Sequence, residues 1–477
     1  MRQRLSFQLL LLGALALGSC KKYLSVQPEG EYTNLQVFSS EKAIQQALNG
    51  LYNNLATDSL YGAGLTMTTI ELMAQQYNNG SYSPDNSYSV IEAYTYTNAS
   101  VEQIFENVWQ PAYANILAAN SFIAQIDGAA GNGVVTTAHA RQMKGEAIAI
   151  RALLHFDLLR IFGPVFANNA AAAAIPYYRK PDATVQPILS GTQALDSVLD
   201  DFTQAEDLLS GDPVITGGTD IPAFGSTPDF YAGDRNQRLN YYAVKALQAR
   251  AYLYGGMTGP AHDSAKAVLV QGEKWFPWLN YSAIVSNLTS PDRIFYPEVL
   301  FGVYNPEMYI NYNNFFSPSL TTVDILTAQT TRLTNVFENN QNDYRYTTTW
   351  LNGPNGFRTF YKYADVQDPT SPWRYIQPII RKSELYYILA ETDPNPTLAY
   401  AYLDSVRYNR GLAVLAPTAV LATEIQKEYK KEFIGEGQLF FYYKRQNLSY
   451  IGSGSSAYSS VYLVYQVPLP LSETTPR

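Results

Sequence analysis

The stretch GEAIAIRALLHFDLLRIFGPV, residues 145–165 of a 477-residue chain, decides the fold class. In the segment from about 138 to 162, apolar side chains recur at Met143, Ala147, Ile150, Leu154, Leu158 and Ile161. Steps of three and four residues are the period of one face of an α-helix and do not fit the two-residue alternation of a strand. Gly163-Pro164 then stops the helix, since proline has no N–H to continue it and glycine suits the turn that follows.

The same period spreads outward in both directions. Upstream, 40–56 carries Ile44, Ala47, Leu48, Leu51, Tyr52 and Leu55. A helix from Ser100 to Gly128 carries Val101, Phe105, Val108, Ala112, Ile116 and Ile123, and Ser100 with Gln103 reads as its capping box. Downstream, Ser190 and Gln193 open a helix with Leu195, Val198, Leu199, Phe202, Ala205 and Leu209 on one face. Tyr242, Ala246, Ala249 and Leu253 mark another, ended by Gly255-Gly256, and a short one follows near 260–270. Late in the chain come 382–391, then 396–410 with Asn395 as cap, then 423–445 opened by Thr423 and Gln426. Between these, 57–99, 211–236 and 272–380 are rich in Tyr, Asn, Thr, Pro, Gly and Ser, with short strands expected at Val299–Tyr304 and Tyr462–Val467. The expectation is a mostly α fold: a tetratricopeptide-like scaffold of helix pairs with long irregular loop-rich insertions and a few short strands.

The amino terminus has another logic. In LLLLGALALGSCKKYLSV, residues 9–26, the apolar run Leu9–Leu17 follows Arg2 and Arg4. As a helix it reaches roughly 14 Å, far short of a ~30 Å hydrocarbon core, so it reads as the core of a signal peptide over 1–19. Leu17-Gly18-Ser19-Cys20 looks like a bacterial lipobox, which makes Cys20 the lipidation site. Cys20 is the single cysteine, so no internal disulfide exists to explain it. Two or more acyl chains anchor stably where one holds marginally.

Hydrophobic content of 46% and charged content of 16% place the chain among globular proteins. A net charge of −8 with no long basic run excludes a nucleic-acid partner, which needs clustered Lys and Arg. The unusual numbers are 39 tyrosines against 3 histidines. Tyrosine offers a flat apolar face with a hydroxyl at its edge, a surface that suits the C–H face and hydroxyls of a pyranose ring.

Several ordered motifs carry a likeness. WQPAYANILAANSFI holds Trp109, Tyr113, Ile116 and Asn120; the opening stretch holds Arg151, Ala152, Phe156, Leu158, Phe162 and Gly163. LDDFTQAEDLL, AVKALQARAYLYGG, PEVLFGV, IRKSELYYILAET, LDSVRYNRGL, EYKKEFIGEGQLFFYYKRQN and YQVPLPLSE follow in order. Together they resemble the RagB/SusD family of outer-membrane lipoproteins of Bacteroidetes over more than 400 residues. The resemblance implies one intertwined domain over 20–477, with a helical scaffold at about 38–270 and 382–445 and an aromatic loop-rich insertion at about 272–380. It further implies a lipid-anchored protein at the outer membrane, facing the cell exterior, that acts as a lid over a SusC-type TonB-dependent transporter. After Glu436-Gly437 the family pattern carries an arginine two positions on and then an acidic residue, whereas this chain has Leu439 and Tyr442; Asn409 also stands where a basic residue is common. These departures predict a buried ion pair replaced by apolar and aromatic packing.

The chemistry favours binding over catalysis. The sequence has no G-x-x-x-x-G-K-[ST], H-E-x-x-H or G-x-S-x-G, and His139, His155 and His262 form no local metal motif. No cofactor is expected. His155 reads as a packed helix residue, and Glu428, Glu432 and Glu436, spaced by four, as a structural set meeting Lys427, Lys431 and neighbouring elements. Candidate ligand platforms are Tyr77, Tyr82 and Tyr88; Trp275, Trp278 and Tyr281; Tyr309 and Tyr312; and Trp350, Tyr361, Trp373 and Tyr375. Asn78, Asn79, Asn311 and Asn313 are placed to hydrogen-bond hydroxyls in either sense. The expected function is non-catalytic capture of an oligosaccharide. The alternatives are the same lid serving peptides or another nutrient, an extracellular glycoside hydrolase whose paired carboxylates the sequence does not reveal, and a purely scaffolding repeat protein.

Overall fold

The computed structural model describes residues 34–78, 86–182, 184–285, 289–353, 358–456 and 458–475. The signal-peptide segment, Cys20, Asn79 and Tyr82 lie outside the described residues. The scaffold consists of α1 (Glu41–Leu55), α2 (Ala99–Gly131), α3 (Thr137–Phe162), α4 (Gly191–Leu208), α5 (Tyr241–Tyr254), α6 (Thr258–Gly272), α7 (Lys382–Thr392) and α8 (Pro396–Tyr408). α1 packs on α2, and from α2 to α8 each helix packs on the next, so the helix-pair stack expected from the periodicity is present. Short connections such as Asn132–Thr136 between α2 and α3 force each helix back along its predecessor. Among the described residues no helix is long and apolar enough to cross a membrane.

α3 is the centre of the stack. Every residue from Gly145 to Phe162 is buried, because α2 and α4 cover opposite sides of it. Its charged side chains are therefore paired inside: Arg151 Nε to Asp201 at 2.7 Å, Glu146 to Arg235 at 2.7 Å, and Arg160 to Asp157. His155 is fully buried, with Nδ1 2.9 Å from the Arg151 carbonyl, Nε2 accepting from Tyr178 N–H at 3.1 Å, and its ring stacked on Tyr177. Burial pushes its pKa down to about 3, so it is a neutral packing residue.

Two capping readings change. α2 starts at Asn98, whose side chain accepts from Ser100 N–H, in place of the Ser100/Gln103 box; the Ser190/Gln193 box at α4 forms in full. The helix expected over 423–445 is two helices, α9 (Leu421–Glu432) and α10 (Leu439–Arg445), and Thr423 caps neither. The break is at Gly435 and Gly437, with φ +79° and +67°. A Cβ on Gly437 would collide with the Leu65 carbonyl, and its N–H is donated to buried Glu71 at 2.7 Å.

The small strands begin with β1 (Ala173–Pro176) and β2 (Ile188–Ser190), paired with each other ahead of α4. β3 (Val299–Tyr304) is where the sequence places it, and it pairs antiparallel with β7 (Ile376–Arg381), a fully buried strand that leads into α7. Between them β4 (Thr327–Ala328), β5 (Trp350–Asn352) and β6 (Arg358–Phe360) form a small sheet. The last strand lies earlier than the expected Tyr462–Val467: β8 (Tyr450–Gly452) pairs with β9 (Ser460–Tyr462).

The insertion is tied to the scaffold by buried charge. Glu432 accepts from Arg381 at 2.5 Å, Arg410 at 2.7 Å and Arg345 at 2.8 Å. Arg410 also meets Glu298 at 2.6 Å, and Glu436 accepts from Arg381 Nε at 2.9 Å and from Lys362. The predicted replacement of an ion pair by apolar packing is thus half of the picture. Leu439 is buried and Tyr442 stacks on Tyr429 at 4.2 Å, yet Glu436 keeps two cationic partners. The three glutamates are paired inside, with Glu428 meeting Arg345, Arg407 and Lys431, but Lys427 pairs with Glu338 and Glu424 instead of with them, and Glu436 lies beyond the helix end.

Candidate functional site

A cleft of about 550 Å³ opens between the start of the insertion and the segment before β7. Trp275, Trp278 and Trp373 wall it, so two aromatic groups that are about a hundred residues apart in sequence meet there. Two of the rings are held by their neighbours. Trp275 donates Nε1–H to the Ile215 carbonyl at 3.2 Å, and Gly218, at φ +77°, lets its loop close to where a Cβ would sit 2.6 Å from the indole. Trp278 has Lys382 Nζ 4.3 Å above its ring and Tyr386 at 5.0 Å. The Trp373 indole N–H is buried without an acceptor among the described residues.

Polar groups between the indoles come from Thr219, Asn236, Asn280 and Asp292. The Asn280 oxygen accepts from Ser282, which leaves its amide protons for the cleft. Asp292 is fully buried and accepts from Ile294 N–H at 3.1 Å and Tyr296 N–H at 2.8 Å. Burial outweighs those bonds and pushes its carboxyl up to about 7. Among the described lining residues Asp292 is the only carboxylic acid, and none is basic. Among the described residues no cluster of His, Cys, Asp and Glu could hold a metal ion.

Two residues after Trp373, the chain builds a second aromatic surface. Tyr375 lies 4.5 Å from Tyr309 and 5.6 Å from Tyr304, and Tyr304 is 50% exposed. Arg374 lays its guanidinium over Tyr375 at 4.8 Å and Tyr309 at 5.4 Å. Tyr375 holds φ +66°, a conformation that costs a β-carbon-bearing residue energy and persists only where the surroundings enforce it.

The remaining candidates are placed differently. Tyr77 is fully buried, donates its hydroxyl to the Met67 carbonyl at 2.8 Å and packs on Phe316 and Phe360, so it is core. Trp350 is likewise buried against Phe360, and Tyr312 is buried beside Phe316. Tyr361 is half-buried 6.0 Å from Tyr312, and Tyr88 is half-buried against the core with its hydroxyl pKa pushed up to about 12. Tyr281 is exposed but stacks on Tyr344 at 4.2 Å beside the cleft. Of the amides, Asn78 and Asn311 are buried, the latter bonded to Asp58, and Asn313 is exposed. The sequence reading passed over Tyr304, Arg374, Asn236, Asn280 and Asp292. Only Tyr304, an aromatic at the end of a legible strand just before Asn305-Pro306, carried a signal.

Two family models match the chain: one described as starch-binding associating with outer membrane, over residues 22–226, and the SusD family, over residues 303–463. A SusD-like protein of Bacteroides ovatus is 25% identical over 198 residues, 41% of this chain and 33% of that protein. The chain thus spans about a third of the length of the curated relatives it matches. A solved SusD superfamily protein from Bacteroides thetaiotaomicron superposes with a TM-score of 0.70 at 21% identity, covering 91% of this chain and 97% of that one. A laminarin-binding SusD-like protein superposes with a TM-score of 0.61 at 18% identity, covering 86% and 92%. At these identities the structural likeness is one of fold.

Proposed function

This chain belongs to the SusD/RagB family, and on that premise we propose that it captures a neutral oligosaccharide at the tryptophan cleft without cleaving it. It acts at the outer membrane, lipid-anchored through Cys20 and facing the exterior, as the lid of a SusC-type TonB-dependent transporter. The observation that carries the reading is the cleft itself: three indole walls around amides and one neutral-range carboxyl, with no cation among its described lining residues. Flat apolar faces meet the C–H faces of sugar rings, and amides meet hydroxyls as donor or acceptor. The described lining residues hold a buried acid and no cation, with the Lys274 and Lys382 ammoniums lying 4.3 Å over the Trp275 and Trp278 rings, and an acid in that place disfavours uronates and sulfated sugars.

Catalysis has no support in the cleft. Glycosidases place two carboxyl groups about 5–10 Å apart across the scissile bond, and here Asp292 stands alone among the described lining residues. Family membership and the aromatic cleft favour glycan over peptide.

Titration calorimetry of the purified protein with laminarin and starch tests the reading. Trp275→Ala and Trp373→Ala are each expected to weaken binding about tenfold, a loss of ~1.4 kcal/mol, while reducing sugar release stays at background. Retention of peptides with silence towards glycans would transfer the site to the peptide reading. Product formation would make the protein a hydrolase.

A further inference from the structure

The turn Asp234–Arg238 sends Asn236 into the tryptophan cleft and its next two residues, Gln237 and Arg238, into a second groove of about 520 Å³. Gln45, Asn49 and Asn53 of α1 form one wall; spaced by four, they present three amides on one helix face. Asp229, Phe230 and Asp234 form the other wall, and Tyr304 stands at the mouth. Tyr304 is also the end of the tyrosine ridge, whose Tyr375 follows Trp373 of the first cleft by two residues.

The groove is built and incompletely satisfied. Arg238 is held flat over Tyr52 at 4.8 Å and Phe230 at 4.6 Å, and donates Nη2–H to Asn49 at 2.6 Å. Its buried Nη1 makes no hydrogen bond to the described residues, among which the nearest carboxylate oxygen, on Glu146, is 3.8 Å away. Asp229 spends one oxygen on the Tyr231 and Ala232 N–H groups. The Asp234 carboxylate, carried on strained backbone at φ +46°, and the Asn53 amide take no hydrogen bond from the described residues. Two carboxylates repel an anion and the fixed guanidinium repels an amine. Open donors and acceptors between aromatic walls match the hydroxyls of an uncharged ring.

We infer that this groove is a second neutral-sugar site, joined to the tryptophan cleft by the tyrosine ridge, so that one long glycan occupies both. The inference rests on the carbohydrate reading above. Its function is to select chain length: a ligand spanning both sites gains effective concentration at the second once the first is filled.

Calorimetry with trisaccharides cut from laminarin and starch, and with the intact polysaccharides, tests it. The wild type is expected to take two trisaccharides per chain, and both Asp234→Asn/Asn53→Ala and Trp275→Ala/Trp373→Ala one. Asp234→Asn/Asn53→Ala should also lower polysaccharide affinity at least tenfold. Asparagine tolerates positive φ, and Tyr304→Ala at the groove mouth supplies an independent surface variant with the same expected loss of polysaccharide affinity. One trisaccharide per wild-type chain, lost in the tryptophan variants and kept in Asp234→Asn/Asn53→Ala, would overturn the groove and leave the proposed function standing. A wild type that takes no saccharide at all would sink both.

Discussion

Arg410 and Arg374 both lie over aromatic rings, Arg410 at 3.8 Å from Phe295 and Arg374 at 4.8 Å from Tyr375. Arg410 is fully buried, and Glu298 and Glu432 neutralise it. Arg374 has an exposed carboxylate partner, Asp365 at 3.3 Å, and its Nε–H finds no acceptor among the described residues. The same side chains thus build a structural hub in one region and an open surface in another. A guanidinium on a ring carries no functional meaning by itself; what separates the two places is whether the protein has already spent the polar atoms around it. By that measure the hub around Glu432 holds the insertion to the scaffold, and the ridge and its two flanking clefts are where the proposed ligand would sit.

The hardest test of that contrast is Glu432→Ala. It leaves Arg345, Arg381 and Arg410 buried around a missing acceptor, and breaking even one buried pair costs about 3–5 kcal/mol. Against a total stability of roughly 5–15 kcal/mol, the variant is expected to melt far below the wild type or fail to accumulate folded. Arg374→Met should shift the melt by less than about 1 kcal/mol. Equal shifts in thermal denaturation would break the comparison. Next in size is a pair of aromatic deletions: Trp350→Ala, which empties a buried site, at about 3–5 kcal/mol, against Tyr304→Ala at about 0.5 kcal/mol.

Acid and base responses sharpen the same contrast because their signs oppose. Burial works against the Glu432 charge, but Arg410, Arg381 and Arg345 outweigh it and hold the carboxyl well below the usual carboxylate range. Its stabilisation is present above about pH 4 and is lost only as pH falls through the depressed value. Asp292, raised by burial to about 7, does the reverse. The folded chain keeps a proton that the unfolded chain has lost, so its contribution is full below about pH 4 and fades as pH rises through about 7. Asp292→Asn is expected to remove that decline between about pH 4 and 7 in denaturation midpoints and leave the acid limb unchanged.

The scaffold was legible because helices repeat: the faces of α1 to α8 are each written in a run of local spacings, and the quoted stretch in α3 is the clearest of them. The hub was legible only as a helix face of glutamates, since its cations come from Arg345, Arg381 and Arg410, which no spacing connects to Glu432. The cleft was named in fragments. Trp275, Trp278 and Trp373 were all singled out as aromatics, but β3–β7 pairing, a long-range contact, is what folds the insertion back on itself and brings its two ends together. Tyr77 and Trp350 failed as surface platforms for the complementary reason. Composition reports that an aromatic is in a loop-rich segment, and only packing reports which of its faces are already covered. The break at Gly435 and Gly437 was missed because apolar residues continue on both sides of it, while the positive φ of Gly437 answers to the Leu65 backbone and Glu71 and that of Gly435 to the Phe360 and Tyr363 rings, all far away in sequence.

A last test, at Tyr375, separates the two regions most cleanly. At φ +66° a tyrosine pays of order 1 kcal/mol or more in backbone strain, which glycine does not. Tyr375→Gly recovers that strain, loses a half-buried ring contact with Tyr309 worth about 0.5–1.5 kcal/mol, and adds up to about 1 kcal/mol of unfolded-chain entropy. The sum is a loss of no more than about 1.5 kcal/mol, although a large ring has been removed. Glycan affinity, by contrast, should fall, most for long chains, because the ring that joins the two clefts is gone. A strained aromatic whose removal leaves the fold intact and weakens capture is one the fold holds for a ligand; if Tyr375→Gly destabilised the chain as Trp350→Ala does, the ridge would be core by another name.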